Sequence, residues 1–225
     1  MLLNRLIPIV LLKDESLVKT LKFNSFTYVG DPANTLSIFN ELLVDELIIL
    51  DISAVKSNRP PNLEILRQIA DECFMPLTYG GGIANLEHAK QIFNLGFEKI
   101  SINTKAIINP KLIKDLSSYF GNQSIIGSID VKNNLFKQQR VVSHGATKFT
   151  NWNPIDWAIE LEKLGVGEIL LTSVDREGTW NGMDIDLIRQ ISNNISIPLI
   201  AHGGAGSFSH IKEAFKLGNA SAVGL

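Results

Sequence analysis

Two glycine pairs stand where the chain could bind anions. Gly81 and Gly82 occur in PLTYGGG, and Gly203 and Gly204 occur in PLIAHGGAG. Each pair follows an apolar run and precedes residues of helical pattern, so its backbone N–H groups are not screened by a side chain. A single glycine pair is more often explained by a tight turn. Two related pairs instead predict two phosphate cradles, and hence a ligand with a phosphate at each end.

The two glycine pairs belong to an internal repeat. An offset of 122 superimposes residues 76–103 on 198–225 without a gap and gives nine identities over 28 positions. Unrelated segments of average composition would share about two. The chain therefore reads as two related halves, about 1–120 and 121–225, and we expect them to form one domain over 1–225.

Three strand-end carboxylates are candidates for acid–base chemistry. Asp130 ends the apolar run IIGSID, where a carboxylate has few structural uses, so it is the main catalytic candidate. Asp51 and Asp175 also follow apolar runs, but Asp51 could equally organise a loop. At an offset of 119, Leu11 corresponds to Asp130, so only one half carries an acid at this point.

The histidines give weaker signals. His202 replaces the first glycine of the GGG pattern and could act as a base, as a donor to a phosphate, or as a polar filler of a loop. His88 and His210 fall on outer helices and are interpreted as surface residues, and His144 has no interpretation. We expect no metal site, because no histidines and acids show ligand spacing, and no cofactor.

Composition narrows the class of protein. The formal net charge of −2 provides no basic field for nucleic acid, and no apolar run approaches the length of a membrane span. The one cysteine, Cys73, fits a reducing compartment and is interpreted as a small buried residue. We therefore expect a cytoplasmic protein with neither a nucleic-acid partner nor a membrane partner.

The apolar patterns alternate along the chain. Strands are predicted at 6–12, 46–50, 75–79, 99–102, 124–130, 168–172, 197–201 and 221–225, and helices at 31–43, 62–73, 85–95, 110–119, 154–164, 184–193 and 208–217. Residues 13–27 are expected to be a loop, and 132–150 to be polar with room for a small hairpin. Eight strands and seven helices in two related halves favour a (β/α)₈ barrel over an open sheet. No helix follows the last strand, so either the chain is a fragment ending at Leu225 or that strand is an uncovered edge.

Polar residues are expected to meet at both ends of such a barrel. At the carboxyl ends of the strands, Asn103 with Thr104, and Thr172 with Gly178, could complete the two phosphate cradles. Four charged residues begin strands at the opposite end and could form an ionic ring that closes the barrel: Arg5, Glu46, Lys99 and Glu168. Features at that end of a barrel usually serve stability, so a structural salt-bridge cluster is the simplest explanation.

Several motifs give the chain a family resemblance over essentially its whole length. The stretches DELIILDISA, YGGGI, EKISINT, SIDVK, GEILLTSVDREGT and AHGGAG resemble the cyclase subunit of imidazole glycerol phosphate synthase of histidine biosynthesis. The resemblance implies a barrel that binds a bis-phosphate between the two cradles. It also implies a glutaminase subunit on the N-terminal face, which sends ammonia through a gate at Arg5, Glu46, Lys99 and Glu168. Lys19 and Glu177 join the phosphate-binding set by this resemblance alone.

The departures from the family pattern lie at the carboxyl ends of the strands. The family's second catalytic acid falls at Leu11, which can neither donate nor accept a proton. Where the family has an Asp in its phosphate-binding loop, this chain has Glu177, and where the family has a Ser before the paired glycines, this chain has His202. This pattern is similar to a paralogous branch associated with sugar amidination in surface-polysaccharide pathways. Two hypotheses follow: an ammonia-accepting synthase subunit with altered cyclase activity, or a non-catalytic scaffold that activates a glutaminase and passes on its ammonia.

Overall fold

The computed structural model describes residues 4–42 and 44–225, with the backbone alone for 33, 34 and 37. The first half contains β1 (Arg5–Ile7), β2 (Ile9–Lys13), β3 (Ser16–Leu21), β4 (Asn24–Gly30), α1 (Pro32–Glu41), β5 (Leu47–Asp51), α2 (Leu63–Glu72), β6 (Leu77–Gly80), α3 (Leu86–Asn94), β7 (Lys99–Ile102), α4 (Thr104–Ile108) and α5 (Lys111–Phe120). The predicted first helix extended to Leu43, which lies outside the described residues.

The second half repeats this order as far as its fourth barrel strand. It contains β8 (Ile125–Asn133), β9 (Gln139–Ser143), β10 (Lys148–Phe149), α6 (Pro154–Leu164), β11 (Glu168–Ser173), α7 (Ile185–Ser192), β12 (Leu199–His202), α8 (Phe208–Lys216) and β13 (Ala222–Gly224). Helix starts follow side-chain caps, as in α3, where Asn85 accepts the N–H of His88, and in α8, where Ser207 accepts the N–H of His210. These two caps are repeat partners.

The sheet closes on itself through the first strand. Parallel neighbours run from β1 through β13, β12, β11, β8, β7, β6 and β5 to β2. Pro8 separates β1 from β2, and its carbonyl still accepts the N–H of Ile48 at 3.0 Å. Since β1 and β2 form one interrupted strand, the eight parallel strands make the (β/α)₈ barrel that the sequence predicted.

The barrel interior is mainly apolar. Strand residues that point inward form a small central cluster: Ile7, Ile48, Ile126, Leu170, Ile200 and Ala222. Three buried hydroxyl residues, Thr78, Ser101 and Ser128, lie on the neighbouring strands β6, β7 and β8. A larger cluster fills the space between the strands and the outer helices, and none of the described helices is long and apolar enough to cross a membrane.

The prediction of a loop at 13–27 is wrong. Strands β3 and β4 form an antiparallel hairpin there, and β3 pairs with β2 at the carboxyl end of the barrel. β4 is exposed over almost its whole length, so it lacks the buried apolar alternation that identifies strands. The hairpin expected within 132–150 is confirmed, because β9 pairs with both β8 and β10.

Candidate functional site

A cavity of about 460 Å³ opens at the carboxyl ends of the barrel strands. Its lining includes six of the predicted site residues: Gly81, Gly82, Asn103, Thr104, Asp130 and Thr172. Leu11 and His202, two of the three departures from the family pattern, line the same cavity. The structure therefore brings together the main catalytic candidate, the first glycine pair and part of the second predicted cradle.

Asp130 is a buried acid inside this cavity. It lies on β8, opposite Thr172 of β11, and is 8% exposed. Burial raises the pKa of Asp130 to about 7, a hydrogen bond with Asn103 opposes this rise, and the Glu177 carboxylate adds to it. A carboxyl group that titrates near neutral pH can either hold or accept a proton, as general acid–base catalysis requires.

His202 lies on the next strand round the barrel. Its Nδ1 is 3.2 Å from Oγ1 of Thr172, which is its partner in the β11–β12 register. Burial lowers the pKa of His202 to about 4, so its imidazole is neutral at pH 7. Asp130, Thr172 and His202 thus form a row of protonatable or hydrogen-bonding groups across three adjacent strands.

The first glycine pair is shaped by close backbone packing. Gly81 has a φ of +132° and Gly82 of +67°, and a Cβ at these positions would lie 2.6 Å from the Asp51 carbonyl oxygen and 2.7 Å from the Arg59 carbonyl oxygen. Oδ1 of Asp51 accepts the N–H groups of Ser53 and Ala54 at 3.0 Å. Asp51 is therefore a loop organiser, the second of its two interpretations, and glycine is required here for the fold.

The second glycine pair lies outside the cavity. Gly203 has a φ of +100°, and a Cβ there would lie 2.8 Å from the Ser173 carbonyl oxygen. Of the described residues of the predicted second cradle, Gly178, Gly203 and Gly204 are absent from the cavity lining, and only Thr172 is present. The two glycine pairs share their sequence and backbone bend, but only the first faces the open cavity.

Glu177 connects the β3–β4 hairpin to the loop after β11. Its two carboxylate oxygens accept the Thr20 hydroxyl at 2.7 Å and the Phe23 N–H at 2.9 Å, and its carbonyl accepts the Lys22 N–H at 3.0 Å. Lys19 lies on the same hairpin, is exposed, and is not among the described residues that line the cavity. The hairpin therefore covers the region of the second cradle.

The contact between Glu177 and the hairpin gives a first prediction. Replacing Glu177 by Gln removes one acceptor, because the amide NH₂ group cannot accept the Phe23 N–H. We expect the hairpin to open more often, with faster hydrogen exchange at the Phe23 amide and a local loss of about 1–3 kcal/mol. The pKa of Asp130 should fall, since Glu177 raises it.

The matched control for this prediction is Glu213→Gln. Glu213 also accepts a hydroxyl, that of Ser209 at 3.1 Å, but it lies on the exposed face of α8. Hydrogen exchange followed by NMR should show no change at Phe23 in this control. An unchanged exchange rate at Phe23 in Glu177→Gln would show that the carboxylate does not hold the hairpin.

Four charged side chains form a closed ring at the opposite end of the barrel. Arg5 pairs with Glu46 at 2.6 Å and also with Glu168, while Lys99 pairs with the same two carboxylates at 3.2 Å and 3.1 Å. The Glu side chains are 8% and 6% exposed, and those of Arg5 and Lys99 are 26% and 23% exposed. These four residues, the charge ring, therefore close the N-terminal end and face solvent through their cations.

Sequence reasoning missed several residues of the cavity wall. Lys56, Lys105 and the aromatic rings of Phe23 and Phe26 all line it, but none stands in a recognisable motif. His144 also lines it, and its N–H binds the Thr104 hydroxyl at 2.9 Å, so the loop after β9 packs beside the first cradle. Phe23 and Phe26 lie on the β3–β4 hairpin, which was predicted as a loop, so no sequence pattern placed them at the cavity.

Two of the other sequence interpretations are corrected here. His88 and His210 are on outer helices but are partly buried, and His88 lines the cavity. Nδ1 of His88 lies 3.4 Å from the Ala84 nitrogen and 3.3 Å from the Gly82 carbonyl oxygen, and Nδ1 of His210 accepts the Gly206 N–H at 3.2 Å. Asp175 accepts two hydrogen bonds from Asn133 and is not among the described cavity-lining residues. All three side chains therefore organise loops.

Comparisons with known proteins agree with this geometry. The family model described as histidine biosynthesis protein matches residues 5–224. A Pseudomonas aeruginosa protein with the provisional name imidazole glycerol phosphate synthase subunit hisF2 is 48% identical to this chain. The match covers 99% of this chain and 89% of that protein. The imidazole glycerol phosphate synthase subunit HisF of Geobacillus kaustophilus is 40% identical over the same shares of the two chains.

A third relative is the imidazole glycerol phosphate synthase subunit HisF of Methanococcus vannielii, which is 40% identical over 99% of this chain and 89% of its own length. The family match spans nearly the whole barrel, and the relatives cover both of its halves. The synthase that gives these relatives their name is a lyase-type amidotransferase complex. The chain therefore belongs to the histidine biosynthesis protein family, as a member of the HisF group of imidazole glycerol phosphate synthase cyclase subunits.

Proposed function

We propose that this chain is an ammonia-accepting synthase subunit that works with a glutaminase subunit. The observation that carries the proposal is the arrangement of one barrel, with the charge ring at its N-terminal end and a cavity containing Asp130 at its other end. The glutaminase would bind the N-terminal face, where Arg5 and Lys99 are partly exposed. Ammonia released there would enter the barrel through the charge ring and react in the cavity.

The barrel interior supports this route for ammonia. Opening the charge ring requires only the displacement of a flexible lysine, because Lys99 holds the two glutamates through single ion pairs at 3.1–3.2 Å. Above it, the hydroxyls of Thr78, Ser101 and Ser128 lie on three adjacent strands, and Oγ of Ser101 has no hydrogen-bond partner among the described residues. Such groups could exchange hydrogen bonds with a small neutral amine as it moves between apolar side chains.

The ligand we propose is a bis-phosphate. One phosphate would bind at Gly81, Gly82, Asn103 and Thr104, whose backbone and side chains line the cavity. The other would bind near Thr172, Gly178, Gly203 and Gly204, with Lys19 and Glu177 assigned to this set by family resemblance. Since the β3–β4 hairpin covers this second region, binding there requires the hairpin to lift.

Cyclase activity is expected to be weak. Asp130 can serve as one acid–base group, but the position that would supply the second is Leu11, which lines the cavity without a titratable group. The alternative function is a non-catalytic scaffold that activates a glutaminase and passes ammonia to a sugar-amidating enzyme. It shares the charge ring and the barrel route with the synthase and lacks only the reaction in the cavity.

Three further features belong to this proposal. We infer that residues 1–225 form a single barrel domain, that the protein acts in the cytoplasm, and that the reaction needs neither metal nor cofactor. The chemistry assigned to the cavity is proton transfer by Asp130 together with positioning of the phosphates, which protein side chains and backbone N–H groups can supply.

The test is a comparison of two nitrogen sources. The chain and its cognate glutaminase are mixed with the bis-phosphate substrate of imidazole glycerol phosphate synthase, and with either glutamine or ammonium. We expect slow formation of the imidazole product from both sources, measured by chromatography. Stimulated release of glutamate without imidazole product from either source would contradict the synthase and support the scaffold.

Variants of the charge ring test the route. Lys99→Met should lower glutamine-driven turnover more than ammonium-driven turnover, because ammonium added to the solution can reach the cavity from its open end. Lys111→Met is the matched control, since Lys111 pairs with Asp115 at 2.7 Å on the exposed surface of α5. Equal losses with both nitrogen sources in Lys99→Met would contradict a gate at the charge ring.

A further inference from the structure

Two lysines in the outer wall of the cavity have no role in the proposed reaction. Lys56 lies in the loop after β5, Lys105 lies in α4, and both line the cavity. Lys56 is exposed and Lys105 is half-buried. Neither side chain forms an ion pair with any residue that the structure describes, so both charges remain available to a ligand. These two residues are called the outer lysine pair.

The acids of the cavity do not balance these charges. Among the described residues, the acids that line the cavity are Asp51 and Asp130. Arg59, which also lines the cavity, pairs with Asp51 at 2.9 Å and so compensates its charge. Burial raises the pKa of Asp130 to about 7, so about half of these carboxyl groups are protonated at neutral pH. The outer lysine pair therefore gives the cavity wall a net positive charge.

A short series of contacts connects the outer lysine pair to the first cradle. His144 donates its N–H to the Thr104 hydroxyl at 2.9 Å. A Cβ on the next residue, Gly145, would lie 2.8 Å from Cε and 3.4 Å from Nζ of Lys56. Lys105 directly follows Thr104 in the chain. Both lysines are therefore neighbours of Thr104, whose hydroxyl belongs to the first cradle.

The ring of Phe26 holds the Lys56 ammonium group at the edge of the cavity. Nζ of Lys13 lies 5.2 Å and Nζ of Lys56 lies 5.7 Å from the centroid of this ring, distances at which a cation is attracted to the π face. Lys13 has a carboxylate partner, Asp14, at 3.6 Å, whereas Lys56 has none among the described residues. Two ammonium groups beside one ring repel each other, and an anion bound at Lys56 would reduce this repulsion.

We propose that the outer lysine pair binds a further anionic group of the ligand, so that the ligand carries a diphosphate, rather than a single phosphate, at the first cradle. The inner phosphate would lie at Gly82 and Thr104, and the outer phosphate would lie between Lys56 and Lys105. The proposal rests on the proposed function, because it extends the first of the two phosphate positions. A diphosphate fits this wall because its two phosphates share an oxygen atom, so the second must lie directly beside the first. Flexible ammonium groups can adjust to its oxygens.

The test compares the binding of inorganic pyrophosphate and inorganic phosphate to the whole chain. Affinity is measured by calorimetry without divalent cations, at about pH 8 and an ionic strength of about 0.15 M, where charges more than about 8 Å apart are largely screened. We expect pyrophosphate to bind about tenfold more tightly than phosphate or better, since each added charge-assisted contact at a partly exposed site contributes about fivefold. Equal affinities for the two probes would overturn the proposal.

Variants of the outer lysine pair show whether the preference arises there. Lys56→Met and Lys105→Met should each lower pyrophosphate affinity about fivefold and change phosphate affinity less than about twofold. Lys56→Arg keeps the charge and should keep the preference. Lys13→Met is the matched control, because Lys13 lies at the same ring but is not among the described cavity-lining residues. An equal loss in Lys13→Met would indicate a diffuse positive field and would overturn the assignment to the outer lysine pair.

Amide chemical shifts measured by NMR locate the two phosphates. Both probes should shift the amides of Gly82 and Thr104, and pyrophosphate alone should also shift those of Lys105 and Gly145. Shifts of Gly82 and Thr104 alone with both probes would overturn the outer phosphate position and leave the first cradle intact. No shift of Gly82 and Thr104 with either probe would contradict the first cradle of the proposed function, and the diphosphate assignment with it.

Discussion

Asp130→Asn is expected to stabilise the protein relative to the wild type, and this stabilisation should be larger at alkaline pH than at acid pH. The pKa of Asp130 is about 7 in the folded protein against an ordinary value of 3.8, so the unfolded chain releases this proton first as pH rises. Between these two pKa values the free energy of unfolding of the wild type falls as pH rises, by about 4 kcal/mol in total. The variant lacks this penalty and should gain that amount between pH 4 and pH 8.

His202→Asn should show the opposite trend. The pKa of His202 is about 4 in the folded protein against an ordinary value of 6.5, so the unfolded chain binds a proton that the folded protein excludes. Wild-type stability from this residue rises with pH across that interval by about 3 kcal/mol. The variant should therefore gain stability relative to the wild type as pH falls from 7 to 4.

The two effects oppose each other in the wild-type protein, so only the variants reveal them. Urea unfolding at several pH values gives the free energy of unfolding, and the quantity to compare is variant minus wild type. Asp115→Asn, on the exposed surface of α5, is the control for the same change of Asp to Asn outside the cavity. Constant differences for Asp130→Asn or His202→Asn would show that the pKa of the side chain concerned is the same in the folded and the unfolded protein.

Leu11→Asp is expected to increase cyclase turnover. Leu11 lines the same cavity as Asp130, and the new carboxyl group would supply the second acid–base group that family resemblance places at this position. Such a group contributes about 10²–10⁴-fold to a rate. The measurement is formation of the imidazole product with saturating ammonium, so that delivery of ammonia does not limit the rate.

Leu11→Asn is the matched control, since it changes size and polarity in the same way but cannot transfer a proton. An equal rise in both variants would assign the effect to cavity shape. If neither variant gains activity, the missing acid is not the main obstacle, and the triple variant Leu11→Asp, His202→Ser and Glu177→Asp becomes the decisive comparison. The scaffold function predicts no gain in any of these variants.

The sequence was most informative where the repeat and the apolar runs acted together. The offset between Gly81 and Gly203 predicted two related halves, and the apolar runs along the whole chain predicted all eight barrel strands, with 99–102 matching β7 at both ends. These signals are strong because a strand buried on both faces must be apolar. The charges at Arg5, Glu46, Lys99 and Glu168 were likewise predictable, since a barrel brings all strand starts to one end.

The β3–β4 hairpin was not predictable by the same reasoning. Its second strand has exposed side chains at six of seven positions, so no alternation marks it, and its attachment depends on hydrogen bonds to Glu177, 154 residues away from Phe23. The sequence also did not indicate which strand-end acids would organise loops. Asp51 and Asp130 both end apolar strands, and what distinguishes Asp51 is its set of partners, namely the N–H groups of Ser53 and Ala54 and the guanidinium of Arg59 at 2.9 Å.

Closure of the barrel by the pairing of β1 with β13 has a consequence for how the chain folds during synthesis. Closure pairs Arg5–Ile7 with Ala222–Gly224, which lie far apart in the sequence. The N-terminal strand must therefore wait with one edge unpaired until nearly all other strands have emerged, and such long-range pairing slows folding. The two strands protect each other's edges, so removal of residues 222–224 would expose the edges of β1 and β12 together and favour aggregation.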